Sequence, residues 1–221
     1  MKRWLRDNSL SLVTFAVFLA ILVGQSFVGL RNYNDDLQQH QQPTVSYVGY
    51  IGSGDFIESV FENWESEFLQ MSFYVILTIF LFQKGSAESK KLQGTNASDA
   101  KPKHTHYADA PWPVRRGGWV LKIYEHSLSL ALLILFLMSF WLHAFGGAKA
   151  TCQENMIHQD PSCPTTISYM TTSRFWFESL QNWQSEFLAV FSIIYLSIYL
   201  REKGSPESKP VSAPNYHTGS E

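Results

Sequence analysis

Asn63, Glu67 and Gln70 fall at i, i+4 and i+7, which places three polar side chains on one face of a helix. Asn182 and Glu186 repeat the first two members 119 residues later, with Ala189 where the glutamine would stand. The stripe borders a long apolar run, where an ionised carboxylate costs several kcal/mol unless it is paired or reaches water. Glu67 and Glu186 therefore point either to a polar lock between helices or to a site for a proton or cation. Candidate partners come from the preceding apolar segments. At an offset of 118, Gln25 corresponds to His143, and both lie in the last two turns before an outer surface. The expectation is that Gln25 faces Glu67 and His143 faces Glu186. His and Glu together can titrate near neutral pH, but polar contacts between membrane helices ordinarily hold packing at about 1 kcal/mol each. The packing lock is the preferred reading and conduction the alternative.

No enzyme signature appears in the chain. There is no Gly-rich phosphate loop, no His-Glu-x-x-His motif and no Gly-x-Ser-x-Gly elbow. One histidine in an apolar segment is too few for bis-His haem. No catalytic residue, metal or cofactor is expected, and at a net charge of −2 nucleic acid is not an expected partner. Trp64 and Trp183, beside the polar stripe, read as interfacial anchors of an aromatic belt.

The elements that must carry these residues can be placed from hydropathy. Leu10–Leu30 and Leu128–Ala148 contain no charged residue and have the length of a bilayer crossing. Two further apolar runs, Phe68–Phe82 and Phe187–Leu200, reach that length only if the Trp64 and Trp183 motifs form their outer ends. Basic residues crowd the N-terminus, the 84–122 segment and the region after 200, whereas the two hairpin loops hold few. The positive-inside rule then puts both termini and the central linker in the cytoplasm. A cleaved signal peptide is disfavoured, because the first apolar run has an internal copy at 127–148.

That copy is part of a duplication. Asn63-Trp64-Glu65-Ser66-Glu67-Phe68-Leu69 returns as Asn182-Trp183-Gln184-Ser185-Glu186-Phe187-Leu188, and Lys84-Gly85-Ser86-Ala87-Glu88-Ser89-Lys90 as Lys203-Gly204-Ser205-Pro206-Glu207-Ser208-Lys209. The expected fold class is all-α: a four-span transmembrane helix bundle built from two parallel-related helical hairpins. The domains are 1–90 for the first repeat, 91–117 for a flexible cytoplasmic linker, 118–210 for the second repeat and 211–221 for a disordered cytoplasmic tail. Gly85 and Gly204, each after a lysine, read as helix stops. Gly29 and Gly147 permit close helix approach, and Ala16, Ala20 and Gly24 add a small-residue face. In the linker, His104-Thr105-His106 reads as a solvated loop and the Asn96-Ala97-Ser98 sequon is discounted as cytoplasmic. Cys152 and Cys163 lie in an outward loop and read as a disulfide staple that the first repeat lacks.

The paired Asn-Trp-x-Ser-Glu-Phe-Leu motifs, with their Lys-Gly-Ser-x-Glu-Ser-Lys endings, resemble a family of small bacterial multi-pass membrane proteins of unknown function. The resemblance covers nearly the whole chain and implies a bacterial inner-membrane location. It implies no activity. The expected function is a non-enzymatic structural or partner-binding role in the lipid bilayer, with a second copy or another membrane protein as partner. The alternative is a small transporter or ion- or proton-conducting protein using the repeat-related glutamates.

Overall fold

The structure is a computed structural model, and it describes residues 2–94, 96–100 and 110–219. The His104-Thr105-His106 segment, and with it much of the expected linker, lies outside the described residues. Among the described residues the architecture is all-helical, with no strand. The helices are α1 (Lys2–Asp7), α2 (Ser9–Gln39), α3 (Tyr47–Ile51), α4 (Gly54–Phe80), α5 (Trp112–Arg116), α6 (Gly118–Glu125), α7 (Ser127–Ile157), α8 (Thr166–Tyr169) and α9 (Ser173–Leu196).

Two of these, α2 and α7, are long and apolar enough to cross a membrane, each with a window of mean hydropathy 2.2. Only 6% and 17% of those windows are buried within the protein. A core helix of a water-soluble domain would bury its apolar face, so these windows turn outward the surface that the hydrophobic effect would otherwise bury. α4 and α9 are shorter in their apolar stretch and begin with polar turns, and they do not meet the same criterion.

The chain divides into two compact units: residues 1–61 with 141–175, and residues 62–140 with 176–221. In the first unit, two loops are built alike although their residues differ. Ser46 and Thr165 cap α3 and α8 by accepting from the N–H of Gly49 and Ser168. Ser53 and Thr172 accept from the N–H of Phe56 and Phe175, satisfying orphan donors at the starts of α4 and α9. Gln41 and Gln159 both take a positive φ, 58° and 62°, where each chain leaves its long helix. All these pairs stand 118 or 119 residues apart.

The Cys152–Cys163 disulfide, with Cα atoms 4.4 Å apart, closes the second loop. At the same offset, Asn34 and Val45 close the first. The Asn34 side chain donates to the Val45 carbonyl at 3.1 Å and accepts from its N–H at 2.8 Å. The staple thus has a non-covalent counterpart, made of residue types that sequence comparison does not match.

In the second unit the repeated Lys-Gly-Ser-x-Glu-Ser-Lys segments make the same turn twice. Gly85 and Gly204 take φ of 89° and 90°, a left-handed conformation open to glycine at little cost. Ser89 Oγ accepts from the N–H of Gln83, and Ser208 Oγ from that of Glu202, both at 2.9 Å. Lys90 and Lys209 then donate to the carbonyls of Ile79 and Ile198, both at 3.2 Å, at the ends of α4 and α9 where carbonyls lack partners from the helical ladder.

Lys209 goes further. Its ammonium is buried and also donates to the carbonyls of Gly85, Pro214, Asn215 and His217. Around it, the Gly219 N–H donates to the Ser86 carbonyl, and the Gly85 N–H donates to Thr218 Oγ1. Residues 211–219 therefore run as hydrogen-bonded turns against the Gly85–Ser86 turn, where polar composition alone suggested a disordered tail.

Candidate functional site

In the first unit α4 and α7 approach backbone to backbone, and glycine is what allows it. A Cβ on Gly54 would lie 2.2 Å from the Ala150 backbone nitrogen, and one on Gly146 would lie 2.4 Å from that of Glu58. Neither neighbour can rotate away. The crossing brings a set of polar side chains into a space closed to solvent. His143 is fully buried, and its ring centroid lies 4.7 Å from that of Phe175. Glu58 is 7% exposed and accepts from the buried Tyr169 hydroxyl at 2.7 Å. A ring nitrogen of His143 and a carboxylate oxygen of Glu58 lie within 4.8 Å of one another, so this pair offers two donors of the kind a divalent metal takes.

Gly147 completes the seat. Its Cβ would fall 2.2 Å from the Tyr169 ring and 2.6 Å from the Glu58 carboxylate. Gly29 does the same for Tyr50, whose hydroxyl would stand 2.1 Å from a Cβ there. The two glycines expected to permit close approach do so, each by receiving a tyrosine from the short helix of its own loop.

Outside this closed space, α2, α7 and the loops enclose a cavity of about 430 Å³. Its acidic residues are Asp35, Asp36, Asp55 and Glu154, and its basic residues are His40, His158 and Arg174. Arg174 donates to Glu154 at 2.8 Å, and the two histidine rings meet edge to face at 5.6 Å. Tyr50, at the end of the first loop, has its pKa pushed up to about 12 by burial, with the Asp55 carboxylate adding to the effect.

In the second unit the buried carboxylate is Glu65, which is fully inaccessible and accepts from the Trp183 indole N–H at 2.9 Å. Trp183 also meets Trp176 and Phe136 edge to face, at 6.2 and 6.4 Å. Trp183, expected from the sequence to be an interfacial anchor, is thus a hydrogen-bond donor to the other copy of its own motif. Glu65 stands where the second copy has Gln184.

The residues singled out from the sequence fall as follows. Glu67 and Asn63 are exposed; Glu186, Asn182, Trp64 and Gln25 are half-buried. Asn182 donates to the carbonyl of Glu178 one turn back in its own helix. Of the six candidate polar residues, His143 alone is fully enclosed. Sequence reasoning passed over Glu58, Glu65, Tyr169 and Lys209. Tyr50 and Tyr169 stand at the repeat offset and could have been found by it, as could Lys90 and Lys209. Glu58 could not, since Phe177 holds the matching place.

These features define an all-helical protein with two helices of membrane-crossing character and buried carboxylates held by aromatic donors. The chain belongs to the family described as Domain of unknown function (DUF6766), whose model matches residues 1–220. No curated protein and no solved structure matches it.

Proposed function

We propose that this is a four-span bacterial inner-membrane protein with cytoplasmic termini and a non-enzymatic, partner-binding or scaffolding role. α4 and α9, with 27 and 24 residues, would be about 40 and 36 Å long, enough to pass the roughly 30 Å hydrocarbon layer when their polar first turns sit at the interface. Their exposed apolar residues, including Phe73, Ile76, Leu77, Phe191 and Ile193, support contact with lipid.

The observation that carries the reading is how the buried carboxylates are held. Glu58 and Glu65 each accept from an aromatic donor more than 110 residues away in sequence, Tyr169 and Trp183. Hydrogen bonds to a charged group are worth about 1.5–3 kcal/mol, so each ties one repeat to the other. A conduction pathway would need carboxylates lining a wet route. Glu67, the residue that helical periodicity suggests for it, is instead exposed. One observation favours the second reading, a proton- or cation-handling site: the fully buried His143 lies beside Glu58.

Proton and monovalent-cation flux in proteoliposomes separates the two. The scaffold reading expects no flux above empty liposomes, and none altered by Glu58→Gln or by Glu67→Gln/Glu186→Gln. A flux abolished by Glu58→Gln, with the protein still folded, would overturn it in favour of conduction.

A further inference from the structure

The second unit holds a cleft of about 240 Å³ between α4 and α9. Its walls are apolar, built from Leu77, Leu81, Phe82, Phe187, Val190 and Ile194. Leu77, Leu81, Phe82 and Phe187 are themselves substantially exposed, so the cleft opens on the surface assigned above to lipid. The volume is below the roughly 300–1,000 Å³ of pockets for compact drug-sized ligands, which suits a length of hydrocarbon chain better than a ring system.

One end of this apolar cleft is polar. Glu88 lines it, and Tyr74 donates to Glu88 at 2.7 Å. The charge of Glu207, the repeat counterpart of Glu88, acts on it. The duplicated motif therefore brings its second glutamate near the one that lines the cleft. Two neighbouring carboxylates repel unless a proton or a cation comes between them. Burial, joined by the Glu207 charge, raises the pKa of Glu88 above the ordinary carboxylate value, with the Tyr74 hydrogen bond opposing.

Three basic groups of the two repeated turns are committed elsewhere. Lys90 pairs with Asp99 and the Ile79 carbonyl, Lys209 is enclosed by backbone carbonyls, and Arg201 donates to the carbonyls of Ile198, Leu200 and Ala213. Among the described residues, neither Glu88 nor Glu207 takes part in an ion pair. An apolar cleft that ends on a carboxylate, with a second one near it and no ion pair to either among the described residues, is complementary to an amphiphile with an ammonium head.

We infer that this cleft binds an aminophospholipid of the surrounding bilayer, with one acyl chain along α4 and α9 and its primary ammonium at the Glu88–Glu207 pair. The inference rests on the membrane reading above. A primary ammonium offers three N–H donors to the two carboxylates. A quaternary choline head offers none, and a phosphatidylglycerol head offers no cation.

The test is native mass spectrometry of the full chain in detergent with phosphatidylethanolamine, phosphatidylcholine and phosphatidylglycerol of matched acyl chains. Phosphatidylethanolamine is expected to be retained at least tenfold more than phosphatidylglycerol and severalfold more than phosphatidylcholine. Glu88→Gln/Glu207→Gln is expected to erase that preference while leaving the chain folded. Leu77→Trp, a change at an exposed wall, is expected to fill the cleft and lower retention of every lipid, and Glu125→Gln, at an exposed acid elsewhere, to change nothing. Equal retention of the three lipids, or a preference that survives the double Gln variant, would overturn the inference. Carbonate extraction of native membranes keeps the two failures apart: release of the protein refutes the membrane reading, whereas retention with no headgroup preference refutes only this site.

Discussion

The same substitution, glycine to alanine, is expected to have opposite effects at Gly146 and Gly24. Both glycines lie inside long helices, where alanine is favoured by about 0.5–1 kcal/mol on backbone entropy alone. At Gly24 an added Cβ meets nothing within 4 Å, so that gain is realised in full. At Gly146 the Cβ would stand 2.4 Å from the Glu58 backbone nitrogen and 2.9 Å from its Cα, and Gly54 O lies at 3.0 Å. All three contacts are backbone. Relief requires α4 and α7 to separate by about 1 Å in an interior packed at crystal-like density, and overpacking of that kind costs about 1–3 kcal/mol.

For a chain of this length, 1 kcal/mol moves the Tm by about 2–4 °C. Gly24→Ala should therefore raise the Tm by about 1–4 °C and Gly146→Ala should lower it by about 2–10 °C. Thermal unfolding in detergent, followed by tryptophan fluorescence, measures both. Shifts of the same sign and size would refute the backbone-on-backbone crossing. A large loss at Gly24 would show that its open face is packed in the intact particle, against a second copy or another chain.

Three further outcomes follow from the repeated geometry. Asn34→Cys/Val45→Cys should form a disulfide on oxidation, because those residues occupy the places of Cys152 and Cys163; an 11-residue separation gives about 2–3 kcal/mol, less about 1 kcal/mol for each of two lost hydrogen bonds. Non-reducing peptide mapping and the Tm check this, and a pair of free thiols would contradict it. Tyr50 keeps its phenolic proton to about pH 12 when folded but loses it near 10 when unfolded. Its contribution is thus fully present below pH 10 and is lost as pH rises towards 12; Tyr50→Phe should flatten that part of the stability profile. Lys209→Met leaves the carbonyls of the buried cage without their donor and should cost about 3 kcal/mol, exposing residues 211–219 to protease. Lys90→Met, at the two-partner copy with Asp99, should cost less than about 1 kcal/mol.

Much of the helical layout is legible in the amino-acid sequence. The two uncharged apolar runs appear as α2 and α7. Gly85 and Gly204 take the left-handed φ that suits glycine, but α4 and α9 end before them, at Phe80 and Leu196, so these glycines shape the turns that follow and are not the helix stops expected of them. The cysteine pair is a disulfide, although Cys152 lies in α7 and only Cys163 in the loop that follows. These features depend on local properties, namely hydropathy over one segment, φ at one residue and a short closure, and the sequence encodes those directly.

The buried carboxylates are another matter. Periodicity selects Glu67, which is exposed, while Glu65, two residues earlier, is the buried one. A step of two positions turns a side chain by about 200° around a helix, so the difference between lining and lipid-facing depends on which face meets a neighbour. A helix with apolar residues on every side does not specify that face by itself. Glu58 becomes part of a site because Gly146 and Gly147 let α4 approach α7 closely and seat Tyr169. The disulfide's counterpart is hidden for the same reason, since Asn34 and Val45 share its geometry and not its chemistry. Sequence alone determined where the long apolar helices run. Only tertiary packing decided which polar side chains are enclosed and what they bind, because burial belongs to pairs of surfaces and the chain records one surface at a time.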